Sequence, residues 1–222
     1  MLDFAHIKGW RPTEATLRSV RKGLPKQPAT DEHMAAMPWS ECPAYFQRVS
    51  EAEQTIGRDA LRFTMLTVLR SSEVRGARPV EFDLKRAKWT VPAERMKMKK
   101  AHELHLTPAS IAIVAPLIET CPSKTSFIFS ADGAAAISDA TMLKVIRDDG
   151  IADDTVHGFR ISFTDWAAET TDFPKEIRDA CLAHKIPDKV EAAYRRTDFY
   201  SKRTRLMTEW ADYLTGGEPD GR

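Results

Sequence analysis

Residues 157–194 read HGFRISFTDWAAETTDFPKEIRDACLAHKIPDKVEAAY, and the rest of the chain is best interpreted outward from this stretch. It contains His157, Arg160, His184 and Tyr194, none of which belongs to a familiar metal-binding or cofactor-binding motif. Arginine binds phosphate oxygens in a bidentate manner, and tyrosine can form a covalent intermediate. Together these four side chains could hold a phosphate and attack it.

The composition is that of an ordinary globular protein. Of 222 residues, 42% are hydrophobic and 29% are charged. No apolar run approaches the roughly 20 residues that cross a bilayer, and the start, MLDFAHIKGW, lacks the features of a signal peptide. We therefore expect a cytoplasmic protein with one sizeable core. The cysteines at 42, 121 and 181 are too widely spaced to suggest a disulfide framework or a paired-cysteine zinc site.

Two basic stretches stand out on a chain whose net charge is only +1. Residues 85–100, KRAKWTVPAERMKMKK, carry seven basic side chains against one acidic one, a local balance of +6. Residues 195–205 carry five against one, a local balance of +4. This distribution fits a surface that faces a polyanion, and it fits two solvated faces without a partner equally well.

The hydrophobic pattern predicts a mostly helical domain with three short strands. Residues 1–10 read as the end of an apolar helix, and residues 11–36 as a surface linker. A domain is expected over 37–214, followed by a flexible tail at 215–222. Periodicity and capping residues predict helices at 40–53, 58–69, 72–77, 109–119, between Ser138 and Gly150, and at 157–169, 174–183, 188–197 and 202–214. Strands are predicted at 80–83, 87–92 and 102–107.

The third predicted strand contains HELH, which at first sight resembles a pair of metal ligands. Residues three apart on a strand point to opposite faces of the sheet. We therefore expect neither His102 nor His105 to bind a metal.

The sequence resembles the tyrosine recombinases, or phage integrases, from Met37 to Leu214. LRFTMLTVLRSSEVRGAR (61–78) looks like the first arginine box of that family, which implies a catalytic arginine at Arg70 and a supporting carboxylate at Glu73. ERMKMKKAHELHLT (94–107) is similar to the β-hairpin box and implies a catalytic lysine at Lys97. HGFR, LAHK and AAYRR resemble the remaining boxes, which contribute His157, Arg160, His184 and Tyr194. The combination is closest to the integrases of prophages and genomic islands, although each residue taken singly has an ordinary structural explanation.

The resemblance implies an α+β catalytic domain, predominantly helical, with a small antiparallel three-stranded sheet. Arg70 and Arg160 would hold one DNA phosphate and neutralise the charge that develops on it. Tyr194 would attack the phosphorus and form a 3′-phosphotyrosine. His157 would act as the general base, and Lys97 would protonate the leaving 5′-hydroxyl. His184 would donate a hydrogen bond to the phosphate. The guanidinium groups supply the positive charge, so the resemblance implies no metal, no other cofactor and no ATP.

Contacts with DNA and with other subunits follow from the same resemblance. Basic residues beside the lysine and the tyrosine would bind the duplex, namely Arg95, Lys99, Lys100, Arg195 and Arg196. The partner would be double-stranded attachment-site DNA, on which the family assembles as a homotetramer. Because a C-terminal element of the family docks on a neighbouring subunit, Trp210 belongs either to its own core or, as we favour, to a subunit interface.

Several positions depart from the family pattern. Ser71 and Ser72 follow Arg70, and the family usually has glycine at the second of these positions. Val68 lies two residues before Arg70, at a position where glycine is frequent. LHLT ends the third strand in place of the common VPL. These differences lie beside the catalytic residues and concern local geometry.

The start of the chain, MLDFAHIKGWR, looks like the last helix of the core-binding domain that precedes the catalytic domain in the family. Residues 1–36 are therefore interpreted as a remnant of that domain and a linker. Three functions stay open: a site-specific recombinase catalytic domain, a topoisomerase-like nicking and closing enzyme, and a non-catalytic DNA-binding remnant or regulator of a full-length integrase.

Overall fold

The computed structural model describes residues 2–13, 35–151, 154–184 and 197–217. The chain divides into two units, Met1–His33 and Met34–Arg222. In the first unit, helix α1 spans Leu2–Ile7, and the side chains of Ile7 and Trp10 are exposed.

The second unit begins with a 3₁₀ turn at Trp39–Glu41 that leads into α2 (Cys42–Glu51). Helix α3 (Ile56–Thr67) is capped by Thr55, whose hydroxyl accepts a hydrogen bond from the backbone N–H of Arg58 at 3.2 Å. It ends where Val68 adopts a left-handed conformation, with φ 48° and ψ 22°. Helix α4 (Ser71–Arg75) follows after a break of a few residues.

Three antiparallel strands follow in the order β1 (Phe82–Asp83), β2 (Lys88–Val91) and β3 (His102–His105). Trp89 is opposite Phe82 on one side and Leu104 on the other. Its ring stacks on Phe82 with the centroids 5.1 Å apart and is tilted against Phe63 of α3 at 5.3 Å. The sheet is thus fixed on α3 by aromatic contacts. All three strands are shorter than predicted, and the first is preceded by a 3₁₀ turn at Pro79–Glu81.

The remaining described elements are helical: α5 (Pro108–Thr120), α6 (Asp139–Asp148), α7 (Gly158–Thr170), α8 (Lys175–Cys181) and α9 (Tyr200–Thr215). Helix α5 begins as predicted, with Thr107 as its cap and proline in its first turn. Most of the helix predicted at 188–197 lies outside the described residues. The architecture confirms the expected mostly helical α+β class with a small antiparallel sheet.

Helix α9 packs on its own domain. The indole of Trp210 is fully buried, donates a hydrogen bond from Nε1 to the carbonyl of Met65 at 2.8 Å, and meets Phe163 edge-on with the ring centroids 5.5 Å apart. The expectation that Trp210 lies at a subunit interface is therefore wrong, because the apolar stripe of α9 is already covered by α2, α3 and α7. In the described part of the chain, no helix is both long and apolar enough to span a membrane.

Candidate active site

Arg70 lies at the start of α4, where the backbone is extended before the helix begins. Glu73, only 1% exposed, accepts hydrogen bonds from the backbone N–H of Arg70 at 2.9 Å and from its guanidinium Nη1 at 3.0 Å. The carboxylate therefore fixes both the backbone and the side chain of Arg70. A supporting role for Glu73 requires such contacts, and that role stays a prediction.

Arg160 lies in the first turn of α7 and is 3% exposed. Its Nη1 donates to the carbonyl of Val68, and its Nη2 donates to the carbonyl of Leu182 at 2.8 Å. A guanidinium has five N–H donors, so these contacts orient the group and leave further donors for a ligand. Burial, and then repulsion from Arg70, lowers the pKa of Arg160 to about 10, and the group stays charged at neutral pH.

The glycine of HGFR allows α7 to begin against neighbouring backbone. A Cβ on Gly158 would lie 2.8 Å from the carbonyl oxygen of Ala35 and 2.9 Å from the Cα of Ala36. Any side chain at this position would therefore displace the start of the helix that carries His157 and Arg160.

His184 connects Arg160 to a carboxylate that the sequence did not reveal. Its Nε2 lies 3.2 Å from Nη2 of Arg160, and its Nδ1 lies 3.2 Å from Oδ1 of Asp179. Since a guanidinium can only donate, neutral His184 accepts at Nε2 and carries its proton on Nδ1. Burial lowers the pKa of His184, although the carboxylate of Asp179 acts in the opposite direction. The lowered pKa favours the neutral form of the ring.

This arrangement bears on the role expected for His184, which stays a prediction. In the neutral tautomer, Nε2 accepts from Arg160 and has no proton to give to a phosphate. Donation to a phosphate would require a second proton on the ring. Asp179 was missed because it lies on the preceding helix, five residues before the histidine, and only the helix end brings the two side chains together.

His157 lies directly before α7, and it is exposed to solvent. Partial burial, followed by the charges of Arg160 and Arg70 and by His184, lowers the pKa of its imidazole from 6.5. The ring is therefore neutral at neutral pH and able to accept a proton. Three separate parts of the sequence thus contribute to one electrostatically coupled group. We call it the arginine–histidine cluster, and it consists of Arg70, Glu73, His157, Arg160 and His184.

Lys97 is exposed on the turn between β2 and β3. Within the described part of the chain, no hydrogen bond or ion pair joins it to the arginine–histidine cluster. Lys99 and Lys100 are likewise exposed on this turn. The nucleophile candidate Tyr194 and the two arginines after it, Arg195 and Arg196, lie outside the described residues.

The prediction that Arg95 contacts DNA needs correction. Its half-buried guanidinium donates to the carbonyl oxygens of Glu73 and Gly76 and forms an ion pair with Glu81 at 2.6 Å. The guanidinium of Arg95 is therefore bonded within the protein, and these bonds occupy the donors that a DNA phosphate would use. The signal in the sequence was only a basic stretch, which does not distinguish exposed cations from buried ones.

The backbone at Val68 shows why glycine would suit this position, and nothing in the structure explains the valine. The left-handed backbone there, with φ 48°, is a conformation that glycine adopts without strain and that a β-branched residue rarely adopts. The carbonyl of the same residue accepts a hydrogen bond from Arg160. The bend at Val68 therefore both ends α3 and supplies a contact to the cluster.

The chemistry of the arginine–histidine cluster is that of an anion site. Two guanidinium groups can bind a tetrahedral oxyanion, and a neutral imidazole beside them can accept a proton. In the ranges that the structure describes, no group of three or more histidine, cysteine, aspartate or glutamate side chains could hold a metal ion.

Comparison with known sequences gives consistent matches. A sequence model described as the phage integrase family matches residues 42–200. The integrase of Enterobacteria phage P4 is 30% identical over 201 residues, covering 82% of this chain and 46% of that protein. Prophage integrase IntA of Escherichia coli (strain K12) is 29% identical over 157 residues, covering 69% of this chain and 38% of that protein. The chain thus spans less than half the length of these curated relatives.

Comparison of structures gives the same fold. An integrase from mycobacterium phage Brujita has a TM-score of 0.60 and 16% sequence identity, covering 99% of this chain and 69% of that chain. The XerH site-specific recombinase bound to its difH substrate has a TM-score of 0.52 and 18% identity, covering 75% of this chain and 55% of that chain. At these identities the similarity shows the fold alone, and it confirms the fold expected from the sequence.

Proposed function

The chain belongs to the phage integrase family, and on this premise we propose that residues 37–214 form the catalytic domain of a site-specific DNA recombinase. The domain would cleave and rejoin double-stranded DNA through a 3′-phosphotyrosine. Residues 1–36 would be the end of a core-binding domain with its linker. A DNA substrate also implies a cytoplasmic location.

The observation that carries the proposal is that hydrogen bonds hold two arginine side chains in place within one cluster that also contains two histidines. Glu73 fixes Arg70, and two backbone carbonyls together with His184 fix Arg160. A phosphodiester carries one negative charge and gains a second as the fifth ligand adds to phosphorus. Preorganised guanidinium groups stabilise that developing charge without reorganising during the reaction.

The reaction balances with the side chains assigned to it. The Oη of Tyr194 forms a bond to phosphorus, and its proton passes to His157. The bond from phosphorus to the 5′-oxygen breaks, and Lys97 protonates that oxygen. A 5′-hydroxyl, from the same strand or another, reverses the steps and reseals the DNA. Bond energy is stored in the phosphotyrosine, so ATP is not required.

The other tyrosines support the choice of Tyr194 as nucleophile. The chain contains four tyrosines. The hydroxyl of Tyr45 donates to Asp149 at 3.1 Å, and burial raises its pKa. The hydroxyl of Tyr213 donates to a backbone carbonyl at 3.2 Å, and burial raises its pKa as well. Both are engaged within the fold, which leaves Tyr200 as the alternative that an experiment must separate from Tyr194.

The test is a trapping assay with nicked duplexes whose central sequence is randomised. Cleavage near the nick releases a short fragment, so the 5′-hydroxyl needed for resealing diffuses away and a covalent adduct accumulates. We expect an adduct that denaturant does not dissociate, that Tyr194→Phe abolishes, and that Tyr200→Phe and EDTA leave in place. Sequencing the trapped DNA would identify the preferred core.

A folded wild-type chain that forms no adduct with any member of the pool would contradict the proposal and favour a non-catalytic DNA-binding role. Assembly as a homotetramer on DNA is a further part of the proposal. It would appear as a synaptic complex of four chains and two duplexes once the preferred core is known.

A further inference from the structure

Arg95 joins three parts of the domain that carry or flank the proposed active site. It lies on the turn between β2 and β3, two residues before Lys97. Its Nη2 donates to the carbonyl of Glu73 in α4, and its Nη1 donates to the carbonyl of Gly76 at the end of that helix and to Oε1 of Glu81. One guanidinium thus ties the turn, α4 and the 3₁₀ turn at Pro79–Glu81 together.

The surroundings of Arg95 are built to hold it. The side chain of Glu81 is only 5% exposed. Its second oxygen accepts a hydrogen bond at 2.9 Å from Nε1 of Trp89, which is fully buried in the sheet. Gly76 leaves room for the guanidinium, because a Cβ there would lie 3.2 Å from the Cζ of Arg95 and 3.3 Å from its Nε. The carboxylate is therefore oriented by a core residue, and the close approach depends on a glycine.

Two successive residues anchor the chain just before Lys97. Arg95 is held by the contacts above, and the side chain of Met96 is only 2% exposed. From Lys97 onward the turn is exposed. Of these two anchors, Arg95 is the one bonded to the carbonyl of Glu73, the residue whose carboxylate holds Arg70.

We propose that Arg95 is a positioning residue that sets the turn carrying Lys97 in place relative to the Arg70–Glu73 pair. This inference rests on the proposed function and deepens it. Through Arg95, the proton donor to the leaving 5′-oxygen and the arginine that binds the phosphate share one support. Arg95 itself touches neither the DNA nor the reacting atoms.

The test compares ordinary DNA with DNA in which sulfur replaces the bridging 5′-oxygen at the cleavage site, in the core recovered from the trapping assay. A thiol has a pKa of about 8.5, so a thiolate leaves without a proton donor. On ordinary DNA, we expect Lys97→Ala to slow adduct formation by about 10²-fold and Arg95→Ala by about 10-fold. On the sulfur substrate, both variants should approach the wild-type rate to within roughly 3-fold.

Further variants keep the inference falsifiable if Arg95→Ala does not fold. Glu81→Gln keeps the shape of the carboxylate but removes its charge, and its single amide oxygen can accept from only one of Trp89 and Arg95. Its hold on Arg95 is weakened and not abolished, so the variant should show the same recovery with a smaller initial loss. Arg95→Lys keeps the charge but cannot reach all the acceptors, and it should resemble Arg95→Ala. Lys85→Ala removes one exposed charge from the same basic stretch and serves as the matched control for electrostatic effects.

The outcomes separate the two proposals. If Lys97→Ala recovers on the sulfur substrate while both Arg95→Ala and Glu81→Gln remain slow, Arg95 does not act through Lys97 and the inference is overturned. It is also overturned if Lys85→Ala shows the same loss and recovery as Arg95→Ala. If the wild-type chain forms no adduct with either substrate, the proposed function itself fails.

Discussion

Glu73→Gln is the most informative change within the arginine–histidine cluster, because the amide keeps the shape of the side chain and removes its charge. The carboxylate accepts two hydrogen bonds from Arg70, at 2.9 Å and 3.0 Å. The amide oxygen can retain one of them, and the amide nitrogen then faces a donor. A hydrogen bond that involves a charged group contributes about 1.5–3 kcal/mol. The side chain of Arg70 is 23% exposed, so solvent weakens the pair and we expect a loss of about 2 kcal/mol.

Two measurements check this value. Urea unfolding followed by tryptophan fluorescence should show a midpoint lower by roughly 1 M. The rate of covalent adduct formation should fall by about 10- to 100-fold, because Arg70 loses the contact that orients it toward the phosphate. Glu119→Gln makes the same chemical change at an exposed position at the end of α5, and its stability should stay within about 0.5 kcal/mol of wild type.

If Glu73→Gln matched Glu119→Gln in both measurements, the carboxylate of Glu73 would neither stabilise the fold nor orient Arg70. Loss of stability with an unchanged rate would mean that Glu73 supports the fold but not the orientation of Arg70. The two readouts therefore test separate steps of the explanation.

Three other changes have outcomes that the structure predicts. Arg160→Lys cannot satisfy the carbonyls of Val68 and Leu182 together, so urea unfolding should show a loss of about 3 kcal/mol and the trapping assay a rate at least about 100-fold lower. Burial and Arg203 lower the pKa of His102 from 6.5 to about 4, so the unfolded chain binds its proton first as the pH falls. Unfolding free energy should therefore decline between pH 6.5 and 4, and His102→Gln should remove up to about 3 kcal/mol of that decline. Ala87→Gly should raise the thermal midpoint by a few degrees, because φ at this position is 50° and glycine relieves about 0.5–1 kcal/mol of strain.

The parts of the fold that local sequence determines could be predicted from it. Ser138 and Gly150 bracket α6 as expected, and Thr107 with the following proline marks the start of α5. Capping residues and proline act over three or four positions, so their effect can be read directly from the chain. The motif around His157 likewise places Arg160 in the first turn of α7 and His157 directly before that helix.

What the sequence could not reveal depends on contacts between distant segments. Trp210 has the spacing of an apolar helix face, and only the fold shows that α3 covers it. Arg95 lies among lysines in the sequence, yet Glu81 and the end of α4 engage its guanidinium in the structure. Asp179 reaches His184 only because α8 ends between them. In each case the local pattern specifies which side chain is present, and tertiary packing decides what it contacts.

The central claim is that Tyr194 attacks DNA within a site built around Arg70 and Arg160. The most direct test is to digest the trapped covalent complex with protease and nuclease and to identify the modified peptide by mass spectrometry. The account predicts a single 3′-linked nucleotide on Tyr194. A nucleotide on Tyr200 or any other side chain would contradict it, and so would wild-type protein that binds the preferred core tightly and never becomes covalently linked to it.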